Sequence, residues 1–348
     1  MKVLYGVQAT GNGHITRARV MAPALERAGI EVDYLFSGRE PEKLFNMEPF
    51  GDYRCRQGMT FYMKGSRVDY VKTLTANNPV RLIRDICALD LSGYDLVITD
   101  FEPVTAWAAK LRGVPSLGIA HQYAFLHKLP DSKTGWLLKQ QISSFAPAKT
   151  ALGLHWHHFD KPICPPLIQP PLFEPSQSDR KVLVYLPHDP PDQIEAALSA
   201  YPDYEFYIYS GLDQPEDKGN MHLRPFSREG FHRDLASCAG VICNSGFGLL
   251  SEAVQYGKKV LTLPQKGQVE QESNAEILEL LGMGLVINKL SEHAKLADWL
   301  EMSSPEPQIY PDLASVLAQW IASGCQQPVE ALVQQVWQLS PEAEAVVI

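Results

Sequence analysis

At 348 residues and 45% hydrophobic content, the chain is long enough to bury two α/β cores of ordinary size. A net charge of −9 without a dense Lys/Arg stripe argues against a nucleic-acid binder. Six cysteines (Cys55, Cys87, Cys164, Cys238, Cys243, Cys325), none in a C-x-x-C pair or a His-containing cluster, argue against a disulfide framework and a thiolate metal site. No run of about eighteen apolar residues occurs, and the opening MKVLYGV is too short for a signal-peptide core, so the expected location is the cytoplasm.

In chain order, short β-rich runs KVLYGV (2–7), EVDYLFS (31–37), DLVITD (95–100) and PSLGIA (115–120) come first. They alternate with helical stretches such as ITRARVMAPALERAG and PVTAWAAKLRG, each closed by glycine, and this alternation predicts a parallel sheet with crossover helices. The proline-rich segment 161–180 cannot continue a helix or a central strand and is predicted as an extended linker. The pattern then restarts with strands KVLVYLP (181–187), EFYIYSG (205–211), GVICN (240–244) and KKVLTLP (258–264), accompanied by helices LLSEAVQYG and VEQESNAEILELLG. Two tail segments, PDLASVLAQWIASG and PVEALVQQVWQL, have apolar residues at helical spacing and are expected to pack back on the first half. The fold class is therefore α/β: two Rossmann-like domains, 1–160 and 181–305, facing across a cleft, a linker over 161–180, and returning helices over 306–340. Charge divides unevenly, with 19 Lys and Arg against 15 Asp and Glu in residues 1–160, a net +4 that leaves −13 for the remainder.

The first loop, GVQATGNGHITRARV, invites a phosphate reading. Gly11 and Gly13 match a dinucleotide fingerprint, but its third glycine is Thr16, no ribose-binding acid follows the second strand, and no Walker Gly-Lys-Ser/Thr is present. The loop instead offers His14 in the first turn of a helix, where the dipole disfavours imidazolium and favours a proton acceptor. A histidine that merely caps or packs is the alternative. In the second half, Asn244, Ser245, Gly246, Phe247 and Gly248 form a small-residue strand exit whose following helix start can bind an anion without a lysine. Glu252 lies one to two turns further on, where a carboxylate can accept from both ribose hydroxyls, and Glu270 and Gln271 can bind sugar hydroxyls. Singly, each also reads as a solvated charge.

Taken as an ordered set, Ser-Gly, a glutamate seven residues after the serine, a strand ending in proline and then Glu270-Gln271-x-x-Asn-Ala resemble the donor region of GT-B glycosyltransferases. MurG-like N-acetylglucosaminyltransferases and the UDP-sugar transferases of plant and macrolide type are the nearest in pattern. The resemblance implies that Glu252 binds ribose, that Glu270 and Gln271 bind the transferred sugar, and that Phe226, in LRPFSREGFHRDLASCAGVICNSG, meets the nucleobase through its backbone. The first loop, with Gly11, Asn12, Gly13 and His14, resembles the G-x-G-G-H loop of MurG-like enzymes and is expected to face the cleft near sugar and acceptor. Asp100 is expected either to orient His14 as its carboxylate partner or to be a structural turn residue. His121 and Gln122, in IAHQYAF, resemble part of an acceptor-side HEQN stretch.

Two departures shape the mechanism. The Gly-Gly-Ser loop of MurG is replaced by YLPHDPPDQ, so His188 is the candidate for that phosphate contact. No acidic residue stands at Asn244 or Ser245, where retaining enzymes of this fold carry one, and there is no Asp-x-Asp, so an inverting reaction without metal or other cofactor is expected. The implied partners are a nucleotide-sugar donor, UDP-linked by resemblance, and an acceptor of unknown identity. A UDP-sugar 2-epimerase, drawing on Asp100 and Glu102, and a non-catalytic nucleotide-sugar module are the alternatives. Two basic patches interleaved with apolar residues, MKGSRVDYVKTLTANNPVRLIRD and LHKLPDSKTGWLLKQQISSFAPAK, read as ordinary surface or as a peripheral contact with the inner face of a membrane that would carry a lipid-linked acceptor.

Overall fold

A computed structural model describes residues 1–60, 77–176 and 178–339, with the backbone of the short strands Met63–Lys64 and Arg67–Val68. The first basic patch falls largely outside the described residues, since nothing is described of its side chains before residue 77.

Strand β1 (Lys2–Gln8) is buried from Val3 onward, as a run apolar on both faces must be when helices cover both sides of a sheet. It is followed in the chain by β2 (Glu31–Ser37), β3 (Arg54–Arg56), the small antiparallel pair β4 (Met63–Lys64) and β5 (Arg67–Val68), then β6 (Leu96–Asp100), β7 (Ser116–Ala120), β8 (Thr150–Leu154) and β9 (Ile163–Cys164). The first sheet has the order β3-β2-β1-β6-β7-β8-β9 and is parallel throughout. The chain leaves β1 toward one edge and returns at β6 toward the other, so a crevice opens at the carboxyl ends of β1 and β6. Val7 lies in register with Asp100 across that boundary.

The second sheet repeats this plan with β10 (Ser178–Tyr185), β11 (Glu205–Ser210), β12 (Glu216–Lys218), β13 (Met221–Pro225), β14 (Cys238–Cys243), β15 (Lys259–Thr262) and β16 (Leu285–Val286). Its order is β12-β13-β11-β10-β14-β15-β16, parallel except for β12 against β13, and its reversal lies between β10 and β14. The proline-rich segment is more than a linker. Ile163 and Cys164 form the edge strand β9, a place where proline neighbours are tolerated, and residues from Ser178 already belong to β10.

The tail helices return to the first half. Helix Leu313–Ala322 packs on helix Asn12–Arg27, with Arg27 Nη2 donating to Ser315 Oγ at 3.4 Å. Helix Val329–Gln338 packs on β9, and Trp337 Nε1 donates to the Ile163 carbonyl at 2.8 Å. No helix among the described residues is long and apolar enough to cross a membrane.

Candidate active site

The two crevices meet through two helix starts that are built alike. Helix Asn12–Arg27 follows β1 with Gly11 at its N-cap, and helix Phe247–Gln255 follows β14 with Gly246 at its N-cap; neither start carries a side-chain cap. Glycine leaves the first-turn amides of both helices open to an anion. The loops approach closely: a Cβ built on Gly248 would stand 3.9 Å from Gly13 Cα. Two positive dipole ends from opposite halves therefore converge on one place.

On the first side, His14 Nδ1 lies 2.6 Å from Asp100 Oδ1. Asp100 is fully buried at the end of β6, and Phe101 after it turns the chain with φ of 54°. Arg17, one helical turn beyond His14, clamps the same carboxylate from Nε at 2.9 Å and from Nη2 at 2.6 Å. Burial pushes the Asp100 carboxyl upward, but Arg17 and His14 outweigh it and hold the group below its ordinary value, so it is anionic. A carboxylate oxygen 2.6 Å from an imidazole nitrogen requires a proton between them. Nδ1 therefore carries hydrogen, and in the neutral ring Nε2 carries the lone pair. Nε2 has no hydrogen-bond partner among the described residues.

On the second side, Glu252 is 7% exposed, and burial pushes its carboxyl up to about 7 against the pull of Arg228. It accepts no side-chain hydrogen bond among the described residues. The nearest ionisable neighbour, His232 Nδ1, is 4.0 Å away and is itself pushed down to about 4 by burial, Arg228 and Arg19. A buried carboxylate without donors is costly unless something brings them. Phe226, at the end of β13, is 53% exposed, with its ring edge-on to Tyr185.

Several residues expected at the site have other employment. His121 is fully buried, with Nδ1 2.7 Å from the Leu154 carbonyl, Nε2 2.7 Å from Asn274 Oδ1 and its ring stacked on Phe247 at 3.8 Å. It joins the halves and has no free nitrogen for an acceptor. Phe247 likewise spends its side chain in that joint and leaves only its amide for an anion. Gln122 donates to Glu270 at 2.9 Å across the same joint. The Asn244 amide is taken by Asp189, Leu263 and Gln265, and the Ser245 hydroxyl by Thr262, so backbone rather than side chains faces the cleft there. Gln271 Oε1 accepts from the Gln265 amide. Asn12 accepts from Arg39 at 2.9 Å, and His188 is exposed on the loop after β10. Glu102, a carboxylate that an epimerase would need, is a helix cap: it accepts from the Val104 and Thr105 amides and from the Ser37 and Thr105 hydroxyls, which saturates both oxygens.

Arg17 was not foreseen. Its signal was present in GHITRARVM, where a charged residue falls one turn after His14 and directly before Ala18 on the buried stripe Ile15, Ala18, Met21, Ala22 and Leu25.

A sequence model of the family described as Glycosyl transferase family 1 matches residues 1–303. No curated protein matches the sequence. Among solved structures, the spinosyn rhamnosyltransferase SpnG complexed with thymidine diphosphate superposes with a TM-score of 0.60 at 15% identity, over 96% of this chain and 99% of that one. The glycosyltransferase VinC in complex with dTDP gives 0.56 at 16% identity over 97% and 99%, and LpCGTa in complex with UDP gives 0.59 at 14% over 99% of each chain. At such identities the superpositions show a shared GT-B fold.

Proposed function

The chain belongs to glycosyl transferase family 1, and from that premise we propose that it moves a sugar from a nucleoside-diphosphate sugar, UDP-linked by resemblance, to an acceptor hydroxyl, with inversion and without metal. The observation that carries this reading is the buried, donorless Glu252 carboxylate on a glycine-started helix that faces the His14–Asp100 pair. A ribose supplies the two hydroxyl donors that Glu252 lacks, and the diphosphate then falls at the open amides of Phe247 and Gly248.

The acceptor hydroxyl gives its proton to His14 Nε2 while its oxygen attacks the anomeric carbon. The carbon–oxygen bond to the diphosphate breaks on the opposite face, and its electron pair leaves with the nucleotide. Asp100 stabilises the imidazolium that forms. Helix amides, rather than a divalent ion, take up charge on the leaving group. In this reading the first half, about 1–160, serves the acceptor and the second, about 181–305, holds the donor. Exposed Trp136 and Leu137 beside Lys139, and exposed Val80 and Ile83 beside Arg81 and Arg84, suit contact with an anionic membrane surface that presents a lipid-linked acceptor. Flotation with anionic vesicles at low salt checks that part, and failure to float leaves a soluble acceptor.

The reading as a whole is tested by incubation with UDP- and dTDP-sugars. Free nucleotide released in step with a new acceptor glycoside is expected. A rearranged sugar with the nucleotide still attached would make the protein an epimerase, and binding without turnover a module.

A further inference from the structure

The base reading leaves a buried cation unexplained. Arg17 is 5% exposed, and burying a guanidinium is expensive unless it is paired with good geometry. Its geometry is bidentate, Nε and Nη2 each on a different oxygen of Asp100, at 2.9 and 2.6 Å. Burial alone would lower the guanidinium's affinity for its proton, but Asp100 more than offsets this, so the pair is ionic. Nη2 also lies 2.7 Å from His14 Nδ1, so Arg17, Asp100 and His14 form a closed triangle in which the carboxylate is the shared acceptor.

We propose that Arg17 is a positioning residue for the transfer: it fixes the Asp100 carboxylate in the one rotamer that aims Oδ1 at His14 Nδ1, and so holds the imidazole with Nε2 toward the cleft. This rests on the reading of His14 as base. A carboxylate held by a single imidazole can rotate about its last torsion; one gripped at both oxygens by a planar fork cannot.

The titratable groups that act on the triangle are Tyr5, Tyr123, His121 and Glu270; buried Tyr123 faces Asp100, and buried His121 acts on Arg17 electrostatically. Tyr5, from β1, is fully buried and faces Asp100 and Arg17; burial pushes its phenol well above the ordinary value, so it is neutral, and its hydroxyl has no partner among the described residues. Glu270, from the second half, acts on Arg17 electrostatically and is itself held by Gln122. Arg17 is thus the sole cation bonded to Asp100 among the described residues.

The test compares Arg17→Met, Arg17→Lys, Asp100→Asn, the double variant Arg17→Met/Asp100→Asn and His14→Ala in a transfer assay, with folding checked by thermal unfolding. Arg17→Met is expected to lower kcat about tenfold or more while donor KM stays within about twofold. Arg17→Lys should recover part of kcat, because a single ammonium donor grips the carboxylate less completely than a fork. The double variant buries no unpaired charge, so it folds even where Arg17→Met does not; its kcat should equal that of Asp100→Asn within about twofold, because Arg17 acts through Asp100. A further tenfold fall in the double variant, a raised donor KM in Arg17→Met, or a folded Arg17→Met with kcat unchanged would overturn the proposal. His14→Ala separates the two levels: inactive His14→Ala beside unaffected Arg17→Met sinks only the role of Arg17, whereas active His14→Ala sinks the base reading as well.

Discussion

The two glycine-led loops are built alike and finished differently. Each leaves the carboxyl end of an inner parallel strand at its sheet's reversal point, passes a glycine N-cap and opens an uncapped helix. On the first, the ionisable groups are saturated by one another, Arg17 on Asp100 and Asp100 on His14, with one imidazole nitrogen left over. On the second, Glu252 is buried and accepts no side-chain hydrogen bond among the described residues. The first loop is organised before any ligand arrives, as a group that must move a proton in the transition state should be. The second bears a cost that a ligand removes, as a group that binds should.

The sharpest way to break that comparison is His14→Ala. Turnover is expected to fall by about a hundredfold or more, the usual worth of a general base, while nucleotide affinity stays nearly intact. Titration calorimetry beside kinetics checks it; if affinity collapses while saturated turnover survives, the two loops do not divide binding from chemistry.

Next in size is Glu252. Its replacement by Ala should weaken nucleoside diphosphate binding by about 1–3 kcal/mol through loss of charge-assisted hydrogen bonds. Glu252→Gln exposes the other side of the same group. The folded protein holds this carboxyl's proton up to about 7, whereas the unfolded chain releases it near the ordinary 4.5. Between those values the folded state binds more protons, so the carboxyl costs increasing stability as pH rises from about 4.5 to 7. Without nucleotide, Glu252→Gln should therefore stabilise the protein by about 3 kcal/mol at pH 8 and by almost nothing at pH 4, seen in denaturant titrations at both values. Equal stability at pH 8 would mean that Glu252 has donors of its own.

The smallest effect expected is a null one. UDP or dTDP should raise the unfolding midpoint equally with and without EDTA, as expected where open helix amides, rather than a metal, bind a diphosphate. A shift that appears only with magnesium or manganese would remove the helix start from that role.

Much of this was legible because it is local. Strands β1, β2, β6 and β7 lie where their apolar runs ended, and the helix starts stand where glycine and small residues follow a strand. The pairing of His14 with Asp100 was legible as one of two alternatives, since His14 opens the helix after one strand and Asp100 ends another, and a Rossmann-like order brings those strands together. The roles of His121, Asn244 and Ser245 were not legible. Whether a polar side chain faces the cleft or is consumed by Leu154, Leu263 or Thr262 depends on which backbone atoms arrive beside it, and those come from distant strands and from the other half.

The sequence by itself determined two repeated β/α units, a tail of two amphipathic helices, and which residue types wait at each strand exit, because periodicity, capping and backbone freedom act over a few residues. Only the tertiary structure decided that Arg17 closes a triangle with Asp100 and His14, that Glu102 is a cap, that the proline-rich segment supplies an edge strand, and that Glu252 is buried without a donor. The reason is physical: burial and the partners available to a charge are properties of the packed interior, set by elements far apart in the chain.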